Sequence, residues 1–113
     1  MTTNKTECLM CGLCKYNCPV FKVTLKETLS PRGKAVLIKK GVYDKNVFYM
    51  CSLCKACEET CPVKVDIGIR KARENLVSQR KETEANKKMM INIKKYGNPF
   101  GKPGEKPKDL YCC

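Results

Sequence analysis

Eight of the ten cysteines in this 113-residue chain fall into two short runs. The first, CLMCGLCKYNCPV, holds Cys8, Cys11, Cys14 and Cys18 and continues into Pro19. The second, CSLCKACEETCPV, holds Cys51, Cys54, Cys57 and Cys61 and continues into Pro62. Both have the spacing C-x₂-C-x₂-C-x₃-C-P, and each Cys of the first run recurs 43 residues later in the second. Thiolates gathered this densely are soft metal ligands. Three of them, two residues apart, can wrap one compact four-iron cube from a single tight loop, with the intervening amides aimed at its sulfides. The fourth, after a longer gap and before Pro, does not easily reach the same cube.

This run is the bacterial-type ligand pattern for [4Fe–4S] clusters, in which the fourth Cys ligates the other cluster when two are present. The expected cofactors are therefore two [4Fe–4S] clusters. Cluster I takes Cys8, Cys11, Cys14 and Cys61, and cluster II takes Cys51, Cys54, Cys57 and Cys18. Such a crossing staples the two halves of a small chain together. Zinc sites use CxxC pairs but have no need of a third Cys at a further x₂ and a C-P ending, twice over. A disulfide framework is the remaining alternative, and it belongs to oxidising compartments.

The composition points the same way. With no His, a Cys–His or Ser–His–Asp catalytic group, a Cys₂His₂ zinc site and a histidine base are all excluded. Trp is absent and aromatics are 7%, so a large aromatic core is not expected. The start, MTTNKTECLM, lacks an apolar signal region. Apolar runs such as Ala35 to Ile38 and Met89 to Ile91 are far too short to span a membrane. The expected location is cytoplasmic, where clustered Cys more often bind metal than form disulfides.

The remaining residues must position the two loops, and they carry helix punctuation. Ser30 as N-cap, Pro31 at the first position and Gly41 past the end predict a helix over 31–40. A second short helix is expected over about 44–50, capped by Asp44, with Val47, Phe48 and Met50 covering a cluster. Further cover is expected from Leu13, Val20, Phe21, Leu53, Val63 and Ile67. Asp66 can cap a third helix, with Ile69, Ala72 and Leu76 on one face. Met89, Ile93 and Tyr96 recur at helical spacing before Gly97. One helix from 66 to 96 would be about 46 Å long, so a break is expected near Glu82 to Asn86. The Met–Ile–Tyr stripe has two readings, packing onto the domain or a subunit interface. Residues 98–113, rich in Gly, Pro and Lys and ending in Cys112 and Cys113, read as an extended tail behind a domain of residues 1–97.

Helical elements between two such cysteine runs resemble the α-helical ferredoxin domain. The similarity is to iron–sulfur subunits of the heterodisulfide reductase, glycolate oxidase and anaerobic glycerol-3-phosphate dehydrogenase type. It rests on CGLCKYNCPVF (11–21), SPRGKA (30–35), CSLCKACEETCPV (51–63) and NPFG (98–101), and covers about residues 6–101. The resemblance implies a mainly α, two-cluster fold and an electron-transfer role, with no catalytic residue in this chain and catalysis in a partner. Members of this type often continue into a cysteine-rich CCG domain that carries the substrate chemistry, and Cys112 and Cys113 stand where that domain would begin. Partners so implied are a flavoprotein, a ferredoxin or a CCG-domain subunit. An alternative is half of a split oxidoreductase, with Cys112 and Cys113 helping to complete its site.

The formal charge is +12. Eight bound thiolates and two oxidised clusters lower it to about +8, and reduction of both clusters to about +6. Such a surface steers acidic partners. A cluster-stabilised nucleic-acid module is the other reading of this charge, but Lys outnumbers Arg 19 to 4 and no aromatic-interleaved stretch occurs. Nucleic acid is not the expected partner.

Overall fold

The computed structural model describes residues 7–106, so Cys112 and Cys113 lie outside the described residues. The fold is mainly α, as expected, and among the described residues there is no strand. In chain order the helices are α1 (Pro19–Thr24), α2 (Pro31–Lys39), α3 (Lys45–Phe48), α4 (Ala56–Thr60), α5 (Ile69–Ser78) and α6 (Glu84–Tyr96). Two 3₁₀ turns, Leu13–Asn17 and Glu27–Leu29, precede α1 and α2.

Helix α2 forms where its punctuation predicts. The Ser30 hydroxyl accepts from Gly33 N at 3.0 Å, Pro31 occupies the first turn, and Gly41 follows the end. Ser30 is fully buried and also donates to the Glu27 carbonyl at 2.6 Å, which joins the cap to the preceding 3₁₀ turn. Helix α3 starts after Asp44, whose carboxylate accepts from Asn46 N at 2.7 Å.

The apolar core is small and lies between α3 and α5. Phe48, Ala72 and Leu76 are buried, and Leu37, Ile38, Tyr43, Val47, Tyr49 and Ile69 pack against them. The expected face Ile69–Ala72–Leu76 is therefore real. Phe48 belongs to this core. Met50, Leu13 and Leu53, also expected as cover, are exposed, whereas Val20, Phe21, Val63 and Ile67 are half-buried.

The third helix begins later than expected. Asp66 does not cap it but closes a turn by accepting from Gly68 N at 2.9 Å, and Gly68 stands at the N-cap. The break also comes earlier than the 82–86 expected, at residues 79–83. There Arg80 N bonds Val77 O at 2.9 Å and Lys81 N bonds Leu76 O at 2.8 Å, with Arg80 at φ 55°. That paired bonding is a Schellman stop, built on Arg instead of Gly. Thr83 then caps α6, accepting from Asn86 N.

No residue of α6 is buried. Met89 is half-buried, while Ile93 and Tyr96 are exposed, so the domain does not cover the stripe as ordinary packing would. Past Gly97, residues 98–101 turn back toward α6: Asn98 accepts from Phe100 N and Gly101 N, and Asn92 donates to Pro99 O at 3.1 Å. No helix of the described residues is long and apolar enough to cross a membrane.

Candidate metal centre

The two cysteine runs fold into the same loop. In the first, Met10 and Gly12 take positive φ values of 61° and 80°; in the second, Leu53 and Lys55 take 57° and 61° at the equivalent positions. These left-handed residues curl each loop back on its first cysteine. Met10 N donates to Cys8 Sγ at 3.4 Å, and Leu53 N donates to Cys51 Sγ at 3.4 Å. An amide aimed at sulfur stabilises its negative charge, which is the environment a ligating thiolate needs.

Each loop runs into a short helical turn, Leu13–Asn17 in the first and α4 in the second, and the two turns pack on each other. The α4 turn, inside the second run, carried no separate signal in the sequence. At the contact Asn17 Nδ2 donates to Thr60 Oγ1 at 2.6 Å, across 43 residues. Equivalent positions of the repeat thus meet, as they do in two-fold-related pairs.

The fourth cysteines depart from the repeat. Cys18 is buried and caps α1, its sulfur accepting from Phe21 N at 3.5 Å ahead of Pro19. Cys61 follows α4 and accepts from Val65 N at 3.5 Å, and no helix starts at Pro62.

One pocket is lined by Cys8, Cys11, Cys14 and Cys61, together with Leu9, Gly12, Arg32, Pro62 and Val63. Three of its thiols come from the first run and one from the second. Among the described residues no three Cys, Asp or Glu side chains are grouped to hold a single metal ion. Four thiols lining one pocket are the donor set that a cubane would take, one thiolate to each iron. On the other side, the ammonium of Lys34 lies in the electrostatic field of Cys51, Cys18 and Cys57. These are the first and third cysteines of the second run and the last of the first.

Three cations hold the loops from outside, and none was marked as functional by the sequence reading. Lys34 is 2% exposed and donates to Met50 O at 2.6 Å. Arg73 of α5 donates to Phe48 O at 3.0 Å and Cys51 O at 2.6 Å and lies over the Tyr49 ring. Arg32 donates to Met10 O at 3.0 Å and to Glu27 Oε1 at 2.7 Å. The only signal for two of them was SPRGK as a string; Arg73 looked like one more charge on a solvated helix face.

Protonation differs among the thiols. Burial pushes the Cys57 thiol up to about 11, and burial likewise raises Cys14. Exposed Cys54 is lowered, first by the Ala56 amide and then by the Ser52 side chain. Burial lowers the Lys34 ammonium, and the nearby sulfurs of Cys51 and Cys18 oppose that shift.

Comparison with known families decides the identity: residues 4–65 match the model of the 4Fe-4S dicluster domain. The chain belongs to the 4Fe-4S dicluster domain family. Its cofactors are accordingly two [4Fe–4S] clusters, which agrees with the doubled loop and the thiol-lined pocket.

Similar proteins include a probable glycolate oxidase iron-sulfur subunit of Bacillus subtilis, 33% identical over 74% of this chain and 21% of the relative. Lactate utilization protein B of Bacillus pumilus is 29% identical over 87% of this chain and 22% of the relative. The glycolate oxidase iron-sulfur subunit of Escherichia coli is 34% identical over 49% of this chain and 15% of the relative. The dicluster chain thus spans about a fifth of the length of the curated relatives it matches. No solved structure matches it.

Proposed function

We propose that this chain is an electron-transfer subunit whose two clusters are ligated crosswise, Cys8, Cys11, Cys14 and Cys61 at one and Cys51, Cys54, Cys57 and Cys18 at the other. The observation that carries the reading is the pocket in which Cys61 joins the three thiols of the opposite run. Bound clusters supply one-electron storage at potentials tuned by charge and hydrogen bonds. The protein's part is to hold the thiolates, aim the Met10 and Leu53 amides at sulfur, and anchor both loops to α2 and α5.

Substrate chemistry is assigned to a partner chain. The names of the relatives, glycolate oxidase iron-sulfur subunit and lactate utilization protein B, favour a small 2-hydroxy acid as the substrate of that partner, and the motif resemblance favours a complex of the heterodisulfide reductase or glycolate oxidase type. The excess of basic residues favours an acidic donor or acceptor, a flavoprotein or ferredoxin.

Anaerobic reconstitution tests the cofactor content, with about eight iron and eight sulfide expected per chain. Four iron, or zinc, would sink the reading. Ligation is tested one cysteine at a time: Cys61→Ser should perturb the cluster of the first run and Cys18→Ser that of the second. If each change disturbs the cluster of its own run, the crossing is wrong. Co-purification from anaerobic extract identifies the partner, and a partner without a redox centre would count against electron transfer.

A further inference from the structure

The doubled loops make the two cluster sites nearly equal in backbone, yet the elements that do not repeat make them unequal in charge. Both loops aim one amide at their first cysteine at the same 3.4 Å. Glu58 and Glu59 of the second run are paired with Lys55 and Lys64, and what then differs is the cations bonded to the loop carbonyls. On the second loop two converge: Lys34 on Met50 O and Arg73 on Cys51 O, each at 2.6 Å. The bonded carbonyls belong to the first cysteine of that run and to the residue before it. Among the described residues neither cation has a carboxylate partner. Glu82 acts electrostatically on Tyr49, beside Arg73, but is not ion-paired with Arg73.

The first loop has only Arg32, on Met10 O at 3.0 Å. Its guanidinium is already bonded to Glu27, which Lys15 shares at 3.1 Å. That carboxylate offsets one of these two cations, so a single net positive charge faces the first loop against two at the second.

Gaining an electron makes a thiolate-ligated cluster more negative, so an uncompensated cation held nearby favours the reduced form. A buried charge is also screened little by solvent or salt. Burial of Cys18 works the other way, since a desolvated cluster resists added charge; half-buried Cys57 is matched by half-buried Cys14 at the first cluster, so the difference is one thiol against two cations without a carboxylate partner.

We infer that the cluster bound by Cys51, Cys54, Cys57 and Cys18 has the higher reduction potential of the two, and that Lys34 and Arg73 set this order. An electron shared by the chain then rests on that cluster, and transfer from the first-run cluster to the second-run cluster runs downhill. Lys34 and Arg73 are positioning residues that act through the field at the sulfurs and touch no substrate. The inference rests on the crossed-ligand reading above.

The test is a redox titration of the reconstituted chain followed by EPR. Cys11→Ser and Cys54→Ser label the two steps, because a serine ligand shifts its own cluster. The higher step should move in Cys54→Ser and the lower step in Cys11→Ser; the reverse overturns the inference. Lys34→Met should shift the higher step to more negative potential and leave the lower one in place. Equal shifts of both steps, or none, overturn the role of Lys34. If Lys34→Met does not fold, the two serine variants still decide the order. Four iron per chain would remove the two-cluster reading and this inference with it, whereas eight iron with reversed order removes this inference alone.

Discussion

Gly33 faces the carbonyl oxygen of Glu27 so closely that a β-carbon at Gly33 would collide with it. The obstacle is backbone, fixed by the buried Ser30 hydroxyl that bonds both the Glu27 carbonyl and the Gly33 amide. It cannot swing aside as a side-chain tip would.

Gly33→Ala is therefore expected to lose about 1–3 kcal/mol, the cost of overpacking. The sign is diagnostic, because Gly to Ala inside an ordinary helix gains up to about 1 kcal/mol. Thermal unfolding of the cluster-loaded chain checks it, and a gain would refute the steric account.

The small core makes Phe48 the dominant apolar residue. Phe48→Ala should destabilise the chain by about 3–5 kcal/mol. Ile91→Ala, on a side chain 60% exposed, should stay within about 0.5 kcal/mol of the parent. Comparable losses at both positions in denaturant titrations would mean that α6 is covered in solution.

Thiol reactivity separates neighbouring cysteines in the cluster-free chain. Cys54 is exposed with its thiol lowered, while Cys57 is raised to about 11 by burial. The thiolate is the nucleophile, so at pH 8 iodoacetamide should label Cys54 well before Cys57. Raising the pH toward 11 ionises Cys57 and should narrow the gap. Mass spectrometry of partly alkylated chain reads the order, and equal labelling at pH 8 would contradict it.

Arg80 holds a left-handed conformation that suits Gly better. Arg80→Gly keeps the Schellman bonds and relieves the strained backbone, so it should stabilise the chain by up to about 1 kcal/mol. A fall in melting temperature would show that the Arg80 side chain contributes more than its backbone costs.

The same residue explains why some boundaries were legible in the sequence and others were not. Helix α2 was readable because Ser30, Pro31 and Gly41 act locally, on their own backbone. The α5 stop was not, because Arg80 gives no local hint of a left-handed turn and tertiary packing imposes it. Asp66 looked like a cap, yet it bonds Gly68 N and the helix starts beyond it. The burial of Phe48 beside Ala72 and Leu76 was not legible either, because α5 supplies those neighbours from more than 20 residues away.

The site divides in the same way. Cysteine spacing is a local property and marked all eight ligand candidates at once. The cations were invisible because each acts across the chain: Lys34 bonds a carbonyl 16 residues away, and Arg73 one 22 away. A basic residue on a helix reads as solvated until the fold shows what it faces.

The bond between Asn17 and Thr60 has a wider meaning for how such a chain can change. Where equivalent positions of a repeat touch, one polypeptide contains the isologous interface of a homodimer, with a linker in place of a second copy. A substitution on that interface is felt first at its own counterpart in the other half. Compensating changes in this part of the molecule should therefore arise in pairs 43 residues apart, as they would between subunits of a dimer freed from having to stay identical.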